Sequence, residues 1–396
     1  MNLIKKYIAV LIFVSIFLTC KAQETFYSQI QLGNNQIGFC DTVIYDTTIL
    51  YKQYGYEGSK PIFCKIWFPE ENSDDSQYLK FGDFNKTNVP DELSVVHKEL
   101  SSQMDEISVR DGVAFDISTG DSLDYGNTNV YEILAQIKLI DTKSHASKLA
   151  SKLDYPVIVY HHGAQGLSYE NSIMAEYFAS RGYIFISANF HLPFGNLDYG
   201  SIPYNPEKPN SNNQSSAKQL IKFAKSISKG NEIYFIGHSW GAQEGWCFLN
   251  DSMYVSAFVS METTIEYKTD SLQIKEMWPE VYTALRTKKN KFSIPILLFA
   301  AQDENMSFNF FKGISNKDMI YASYLEPFSH NSYTSLLMMR YFLNNNLKQP
   351  DTDIMLTQIK GYAAHLDLIF SFLQNQKKGN RSYLEKFRMQ FIITQE

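Results

Sequence analysis

The sequence has few cysteines, no excess of basic residues and no tandem repeat. It contains four cysteines among 396 residues, and 36 lysines and arginines against 42 aspartates and glutamates. The resulting formal net charge of −6 argues against nucleic acid and anionic membrane surfaces as partners. The eight histidines show no metal-ligand spacing, since neighbours such as His161 and His162 would point to opposite faces of a strand. We therefore expect no metal site.

Long apolar runs are also absent beyond the N-terminus. Two lysines precede an apolar run over residues 8–18, which is too short to span a bilayer comfortably, and a small residue, Ala22, follows it. This pattern predicts a signal peptide over residues 1–22 and a secreted or periplasmic protein without a membrane span. Lipid attachment through Cys20 is the alternative that the pattern favours less.

Removal of that segment would leave three cysteines, Cys40, Cys64 and Cys247. An odd number of cysteines cannot all pair within one chain, so buried thiols are favoured over disulfides. A bridge between Cys40 and Cys64 stays open, because both residues lie in strand-like stretches near the N-terminus.

The remaining chain, residues 23–396, is expected to form a single domain whose pattern changes near residue 155. Residues 23–150 contain β-branched and aromatic stretches separated by polar loops, which predicts a β-rich N-terminal part. After that point, short apolar runs typical of strands buried on both faces alternate with helical stretches. The runs lie at 156–161, 183–188, 233–236, 255–261 and 294–301. This alternation indicates an α/β fold with a mostly parallel central sheet and helices on both faces.

Two further stretches interrupt or follow this core, which spans residues 155–346. Residues 263–292 separate the last two strand-like runs and form either a lid over a site or a plain surface connection. Residues 347–396 carry apolar side chains at helical spacing and are expected to form C-terminal helices.

A pentapeptide between a strand and a helix is the strongest candidate for chemistry. Gly237-His-Ser-Trp-Gly241 follows the apolar run 233–236 and precedes a helical stretch, which is the context of a nucleophile elbow. A serine in such an elbow projects from a tight, strained turn, and the small residues on each side allow close backbone approach. The positive end of the following helix suits a developing oxyanion. Ser239 is therefore the predicted nucleophile.

A serine nucleophile needs a base, and the base needs a carboxylate. His330 follows the last predicted core strand, in a loop that can return over the strand ends to Ser239. Two acids stand at strand ends, Glu262 after the fourth core strand and Asp303 after the fifth. Either acid produces the order serine, acid, histidine along the chain, so the choice between them stays open.

The oxyanion of an acyl-transfer reaction needs two backbone N–H donors. Trp240, next to the nucleophile, is one candidate donor. The loop after the first core strand contains the second, for which Ala164 is preferred and Gln165 is the alternative. His191 and Phe194 follow the second core strand and are candidates for lining the substrate pocket.

These segments resemble the platelet-activating-factor acetylhydrolase and dienelactone hydrolase branch of the α/β-hydrolases. The resemblance covers residues 50–70 and 155–346. Its motifs are the strand that ends in His-His-Gly163, the stretch that ends in Arg-Gly-Tyr183 and the Gly-His-Ser-Trp-Gly pentapeptide. The resemblance implies hydrolysis of a carboxylic ester, without a cofactor, on an α/β-hydrolase fold.

The two parts of that branch differ in the acid that they imply. The acetylhydrolase-like part takes its acid after the strand that follows the nucleophile helix, which corresponds to Glu262, although that part uses Asp. The dienelactone-like part takes it one strand later, which corresponds to Asp303, although its nucleophile is a cysteine and Ser239 is a serine. The resemblance therefore implies a triad and leaves both acids open.

The combined expectation is a secreted serine esterase that hydrolyses a small-molecule carboxylic ester through an acyl-enzyme. A serine peptidase of related fold is one alternative, although such enzymes usually carry a large additional domain for which the sequence has no repeats. A hydrolase-like binding protein without turnover is the other alternative. No feature of the sequence predicts an oligomeric state.

Overall fold

The computed structural model describes most of the chain from Phe26 to Gln395. The described residues are 26–70, 77–109, 115–116, 121–122, 129–149, 152–164, 166–192, 209–230, 232–249, 255–268, 270–287, 292–301, 308–312, 314, 316, 318–347, 352–376 and 381–395. The predicted signal peptide, residues 1–22, lies outside them and stays a prediction.

Eleven strands of the described residues form one sheet. In chain order they are β1 (Gln36–Gln53), β2 (Tyr56–Glu70), β3 (Tyr78–Lys80), β4 (Asp141–Ala146), β5 (Val157–His161), β6 (Ile184–Ala188), β7 (Ile233–His238), β8 (Ala257–Met261), β9 (Ile296–Ala300), β10 (Met319–Tyr324) and β11 (Phe391–Gln395). Their order across the sheet is β11-β10-β9-β8-β7-β5-β6-β2-β1-β4-β3. The run from β10 to β6 is parallel, and β11 and β2 join it antiparallel on either side. The mostly parallel sheet that the sequence predicts is confirmed.

The six parallel strands are buried along their whole length. In β5, Ile158 and Tyr160 pack into an apolar core on one face of the sheet, while Val157 and Val159 pack into a second core on the other face. Because both faces are covered, these strands need no alternation of polar and apolar residues, and all of them except the more polar β10 are nearly continuous apolar runs in the sequence.

Nine α-helices of the described residues cover the two faces. In chain order they are α1 (Ser94–Ile107), α2 (Val130–Ile137), α3 (Ser172–Ala179), α4 (Pro209–Ile227), α5 (Trp240–Phe248), α6 (Ser271–Met277), α7 (Pro279–Thr287), α8 (Leu336–Leu347) and α9 (Thr352–Asn375). Helices α1, α2, α3, α8 and α9 contribute to one apolar core, and α4 to α7 contribute to the other. Within the described ranges, no helix is long and apolar enough to cross a membrane.

The N-terminal part of the sheet is built on the long hairpin of β1 and β2. Its strands pair antiparallel up to Gln53 and Tyr56, so that only Tyr54 and Gly55 form the turn. Both turn residues have positive φ, 53° and 79°, as a two-residue turn of type I′ requires. The hairpin joins the parallel strands through the pairing of β2 with β6.

Cys40 lies in β1 and Cys64 in β2, and the two residues do not form a disulfide. Cys64 is fully buried within the apolar core that α4 covers. Burial raises the pKa of the Cys40 thiol to about 11, which keeps it protonated at neutral pH.

The C-terminal segment, expected to be helical, also contains a strand. After α9, residues Phe391–Gln395 pair antiparallel with β10 at the edge of the sheet. Phe391 and Ile393 are buried and Ile392 is exposed, which is the alternation of an edge strand with one covered face. Five residues are too few for periodicity to distinguish a strand from the end of a helix.

Residues 263–292, interpreted as a lid or a surface connection, contain α6 and α7. Ile274, Val281 and Leu285 of these helices belong to the same apolar core as Trp246 of α5. The segment therefore forms part of the helix layer that packs on α5.

Candidate active site

Ser239 stands in a strained turn between β7 and α5. Its backbone has φ 52° and ψ −116°, a conformation that residues with a side chain rarely adopt. Its N–H donates to the carbonyl of Met261 at 2.9 Å, and its carbonyl accepts from the N–H of Gln243 at 3.0 Å. The turn thus joins the end of β7 to the end of β8 and to the first turn of α5, and Ser239 stays partly exposed.

The two glycines of the pentapeptide are required by backbone contacts. A Cβ atom on Gly237 would lie 2.4 Å from the carbonyl oxygen of Gly241. A Cβ atom on Gly241 would lie 2.2 Å from the carbonyl oxygen of His161, at the end of β5. Both positions therefore exclude larger residues, as the elbow interpretation predicts.

Glu262 and His330 form a short contact at the same edge of the sheet. The Nδ1 atom of His330 lies 2.8 Å from Oε1 of Glu262, and the backbone N–H of Ala301 donates to Oε2 at 2.9 Å. Glu262 is 2% exposed and has φ 45°, so its backbone, like that of Ser239, is strained. Both oxygens of the carboxylate are thus held, and one of them fixes the orientation of the imidazole.

The electrostatics of this pair favour the charged carboxylate. Burial alone would raise the pKa of Glu262, but the imidazole of His330 and the N–H of Ala301 lower it below its usual value. Burial would likewise lower the pKa of His330, but the carboxylate of Glu262 raises it above its usual value. A proton accepted by His330 is therefore stabilised by Glu262.

The elbow and the Glu262–His330 pair lie next to each other. The ring of His238, which precedes Ser239, has its centroid 4.9 Å from that of His330. Its Nε2 atom lies 3.1 Å from the carbonyl oxygen of His330. Glu262 directly follows Met261, whose carbonyl accepts from the N–H of Ser239. The predicted serine, histidine and one predicted acid thus come from distant parts of the sequence to one edge.

The other candidate acid, Asp303, lies outside the described residues. The strand before it, β9, ends at Ala300, next to the end of β8. The pocket candidate Phe194 and the alternative oxyanion residue Gln165 also lie outside the described residues.

The loop after β5 lies against the elbow, as the close approach of His161 to Gly241 requires. Ala164 is partly exposed in a turn that the bond from Gly166 N–H to the carbonyl of Gly163 closes at 3.2 Å. Trp240 is the first residue of α5, so its backbone N–H lies at the positive end of that helix.

His191 is 1% exposed and packs edge-on against Trp240 and His162, with ring centroids 5.7 Å and 4.8 Å away. Burial and the neighbouring imidazoles hold its pKa well below the usual range, so the ring is neutral. The His191 ring thus contacts the indole of Trp240, the residue that follows the predicted nucleophile. In the part of the chain that the structure describes, no group of three histidine, cysteine, aspartate or glutamate residues could hold a metal ion.

A buried polar group that the sequence did not single out lies below these residues. Glu170 is fully buried between the loop after β5, the elbow and the loop of His330. The available signal was its position: Glu170 and Asn171 are polar residues directly before α3, of which every residue is buried. A charged residue at the start of a wholly buried helix has a partner in the interior.

The chain is similar to known proteins in its architecture. No family model and no curated protein matches the chain. A ferulic acid esterase from Streptomyces cinnamoneus has a similar structure, with 13% identity and a TM-score of 0.50 over 88% of this chain and 92% of that chain. Est1E from Butyrivibrio proteoclasticus, bound to ferulic acid, matches with 16% identity and a TM-score of 0.34 over 53% of this chain and 91% of that chain.

An acylaminoacyl peptidase from Pyrococcus horikoshii matches with 16% identity and a TM-score of 0.39, over 60% of this chain and 40% of that chain. At these identities a structural likeness bears on the fold and not on the activity. Together with the sheet order and the strand–turn–helix at Ser239, the likeness to the first of these structures leads to one conclusion. The chain has the α/β-hydrolase fold.

Proposed function

We propose that the protein is a serine hydrolase that cleaves a small-molecule carboxylic ester, with Ser239, His330 and Glu262 as its catalytic triad. The observation that carries this proposal is the 2.8 Å contact of the His330 imidazole with Glu262, beside a serine in a strained elbow. Structural imidazole–carboxylate pairs occur in many proteins, but this pair lies beside a strained serine at the carboxyl ends of parallel strands, where such sheets bind their ligands.

The reaction follows from these groups. The Ser239 hydroxyl attacks the ester carbonyl while His330, whose Nδ1 is held by Glu262, accepts the hydroxyl proton on Nε2. The backbone N–H groups of Trp240 and Ala164 stabilise the oxyanion. The imidazolium then protonates the departing alcohol, which leaves an acyl-enzyme. A water molecule, deprotonated by His330, attacks the acyl carbon and releases the acid and free Ser239.

We propose Glu262 rather than Asp303 as the acid. The support is the direct contact with His330 and the second bond, from Ala301, which fixes the carboxylate. Asp303 would then have no part in the triad. The choice agrees with the acetylhydrolase-like part of the resemblance in its position along the chain and departs from it in the use of Glu.

An ester is proposed as the substrate because the sequence resemblance implies ester hydrolysis, and a ferulic acid esterase is among the solved structures of similar fold. Hydroxycinnamoyl esters therefore belong in a substrate panel beside short acyl esters and acetylated sugars. We propose that residues 23–396 act as one domain, secreted or periplasmic after cleavage of residues 1–22. A lid role for residues 263–292 and a pocket role for His191 and Phe194 stay predictions.

The test compares wild type with Ser239→Ala on p-nitrophenyl acetate. We expect kcat to fall by at least about 10⁴-fold, because a serine nucleophile and its base act as one unit. A fluorophosphonate probe should label wild type at Ser239, as read by peptide mass spectrometry. Ser226→Ala is the matched control: its hydroxyl donates to the carbonyl of Phe223 on the exposed side of α4.

Equal rates for wild type and Ser239→Ala would contradict the proposal. So would a folded wild-type protein that the fluorophosphonate does not label. Turnover of a peptide amide with no turnover of any ester in the panel would replace the esterase by a peptidase.

A further inference from the structure

Glu170 is a buried carboxylate below the site that the proposed reaction does not use. Its Oε1 atom accepts from the hydroxyl of Tyr160 at 2.6 Å and from the backbone N–H of Gly163 at 3.1 Å. Gly163 precedes Ala164 in the loop after β5. Glu170 therefore holds the backbone of the loop that contains the second proposed oxyanion donor.

The same carboxylate faces His238 of the elbow. Nδ1 of His238 lies 3.6 Å from Oε1 of Glu170, and both side chains are fully buried. The other ring nitrogen, Nε2, lies 3.1 Å from the carbonyl oxygen of His330. Because a carbonyl oxygen can only accept, Nε2 carries a proton and donates to it. His238 thus connects the buried charge of Glu170 to the main chain of His330.

A third connection reaches the loop of His330 through the backbone beside Glu170. The N–H and the hydroxyl of Ser335 donate to the carbonyl of Glu170 at 2.9 Å and 2.6 Å. The side-chain amide of Asn171 donates to the carbonyl of Tyr333 at 3.1 Å. Two consecutive residues therefore anchor the segment that directly follows His330.

We infer that Glu170 and His238 form a positioning pair. The pair keeps His330 aligned with Ser239 and with the loop after β5 that contains Ala164. The pair has a catalytic consequence only if the proposed function holds, since it acts on the same site. Removal of one member of a buried pair destabilises the fold, so the property that separates a positioning role from a purely structural one is the alignment of the site. A displacement of a catalytic group by about 1 Å can lower a rate roughly 100-fold.

The charge of Glu170 also acts on the imidazole of His330. Burial opposes ionisation of Glu170, but its contact with His238 lowers the pKa of the carboxyl. Burial alone would lower the pKa of His330, but the carboxylates of Glu262, Glu266 and Glu170 raise it. In the described part of the chain, these three carboxylates and His238 are the titratable groups close to the His330 ring. Loss of the Glu170 charge should therefore lower the pKa of His330.

The test uses the full chain with three variants and a matched control. Glu170→Gln keeps the shape of the side chain and removes its charge. His238→Phe keeps a ring and removes the donor to His330, whereas His238→Gln restores a donor at a similar reach. The control is Glu176→Gln: Glu176 is equally buried and accepts from Ser144 and Lys143, at 2.6 Å and 2.9 Å, away from the site.

The measurements are kcat and KM on p-nitrophenyl acetate from about pH 5 to about pH 9, and the melting temperature. We expect Glu170→Gln and His238→Phe to lower kcat by about 10- to 100-fold, with KM changed less than about twofold. His238→Gln should recover most of this loss. The acidic limb of kcat/KM should move to lower pH in Glu170→Gln only. Glu176→Gln should lower the melting temperature at least as much and leave kcat and the limb unchanged.

Proton NMR adds a readout that needs no turnover. The low-field Nδ1–H resonance of His330, bound to Glu262, should be sharp in wild type and Glu176→Gln, and shifted or broadened in Glu170→Gln and His238→Phe. If Glu170→Gln does not fold, the positioning pair is tested by the fall of kcat in His238→Phe and its recovery in His238→Gln.

Wild-type kcat in both Glu170→Gln and His238→Phe would overturn the positioning pair and leave the proposed function intact. Losses of the same size in Glu176→Gln, or no recovery in His238→Gln, would also overturn it. Wild-type protein without ester turnover or fluorophosphonate labelling would instead contradict the proposed function, and the positioning pair with it.

Discussion

The carboxyl edge of the parallel strands and the β1–β2 hairpin differ in their backbone strain and in the groups that contact their buried charges. The edge has positive φ at three residues that are not glycine, Ser239, Glu262 and Thr264. The hairpin has positive φ only at Tyr54 and Gly55, where the type I′ turn that matches the strand twist requires it. Strain that local folding does not explain is typical of a functional site.

The interiors of the two regions also differ. Below the edge lie the ionisable groups Glu170, His238 and Glu262, all buried and all in contact with a partner. The hairpin buries aromatic rings, with Trp67 packed against Phe39, and also buries Lys60 and Lys65, which donate to backbone carbonyls. The buried rings of the hairpin contribute directly to stability, whereas the charges at the edge contact residues of the strained serine turn and of the His330 loop. We therefore expect changes at the edge to affect activity more than stability, and changes in the hairpin to do the reverse.

The largest expected effect tests the edge. Glu262→Gln keeps the size of the side chain but cannot stabilise the imidazolium of His330, so kcat should fall by about 10⁴-fold. Urea unfolding should show a folded protein with a normal transition. Asp303→Asn is the control and should keep kcat within about threefold. A large fall of kcat in Asp303→Asn with a small fall in Glu262→Gln would show that Asp303, and not Glu262, is the triad acid.

The next effect tests the hairpin. Trp67→Ala removes a fully buried ring that contacts Phe39, Phe84 and Phe185, so the free energy of unfolding should fall by about 3–5 kcal/mol. At a temperature well below the new melting point, kcat should stay within about twofold of wild type. Urea unfolding and p-nitrophenyl acetate turnover measure the two quantities. A large loss of kcat in the folded variant would mean that the hairpin and the edge are coupled.

The pH dependence of turnover should report the pKa of His330 at the carboxyl edge. Glu262, together with the more distant carboxylates, raises the pKa of His330 despite its burial. The imidazole must be neutral to accept the proton of Ser239, so activity is lost as the pH falls through this raised pKa. The acidic limb of kcat/KM should therefore have its midpoint above the ordinary histidine value near pH 6.5. A pH–rate profile measures it, and a midpoint below that value would contradict the contact with Glu262. Trp67→Ala should leave the midpoint unchanged.

The smallest expected effect lies at the hairpin turn. A Cβ atom on Gly55 would meet no atom within 4 Å, so Gly55→Ala costs only the strain of φ 79°. We expect the free energy of unfolding to fall by about 1 kcal/mol, with kcat unchanged. Gly55→Asn should be milder, because Asn tolerates this conformation better. Equal losses for Ala and Asn, measured by urea unfolding, would show that conformational strain is not the cause.

Two strands of the sheet were not predicted from the sequence, because their own residues do not show a strand pattern. The strand Met319–Tyr324 contains polar and aromatic residues and follows a stretch without clear periodicity, so the sequence does not distinguish it from a loop. The strand Phe391–Gln395 is formed only by pairing with β10, far away in the sequence. Edge strands of this kind depend on their neighbours more than on their own residues.

Within the site, the serine and the histidine could be named from the sequence, but the acid could not. Glu262 and Asp303 stand in equivalent local contexts, each after an apolar run. The 2.8 Å contact of Glu262 with His330 supports one of them, and it joins residues 68 positions apart. Glu170 was missed because nothing in its own segment reveals which loops surround it.

Periodic and local features of this protein could be predicted from the sequence. Continuous apolar runs predicted buried parallel strands, and the glycines around Ser239 predicted a turn too tight for a Cβ atom. The carboxylate that faces His330 and the buried charge beside the elbow could be identified only in the folded chain. The periodicity of a strand or helix depends on residues that are neighbours in the sequence. A contact across the sheet depends instead on how loops from distant strands meet at one edge.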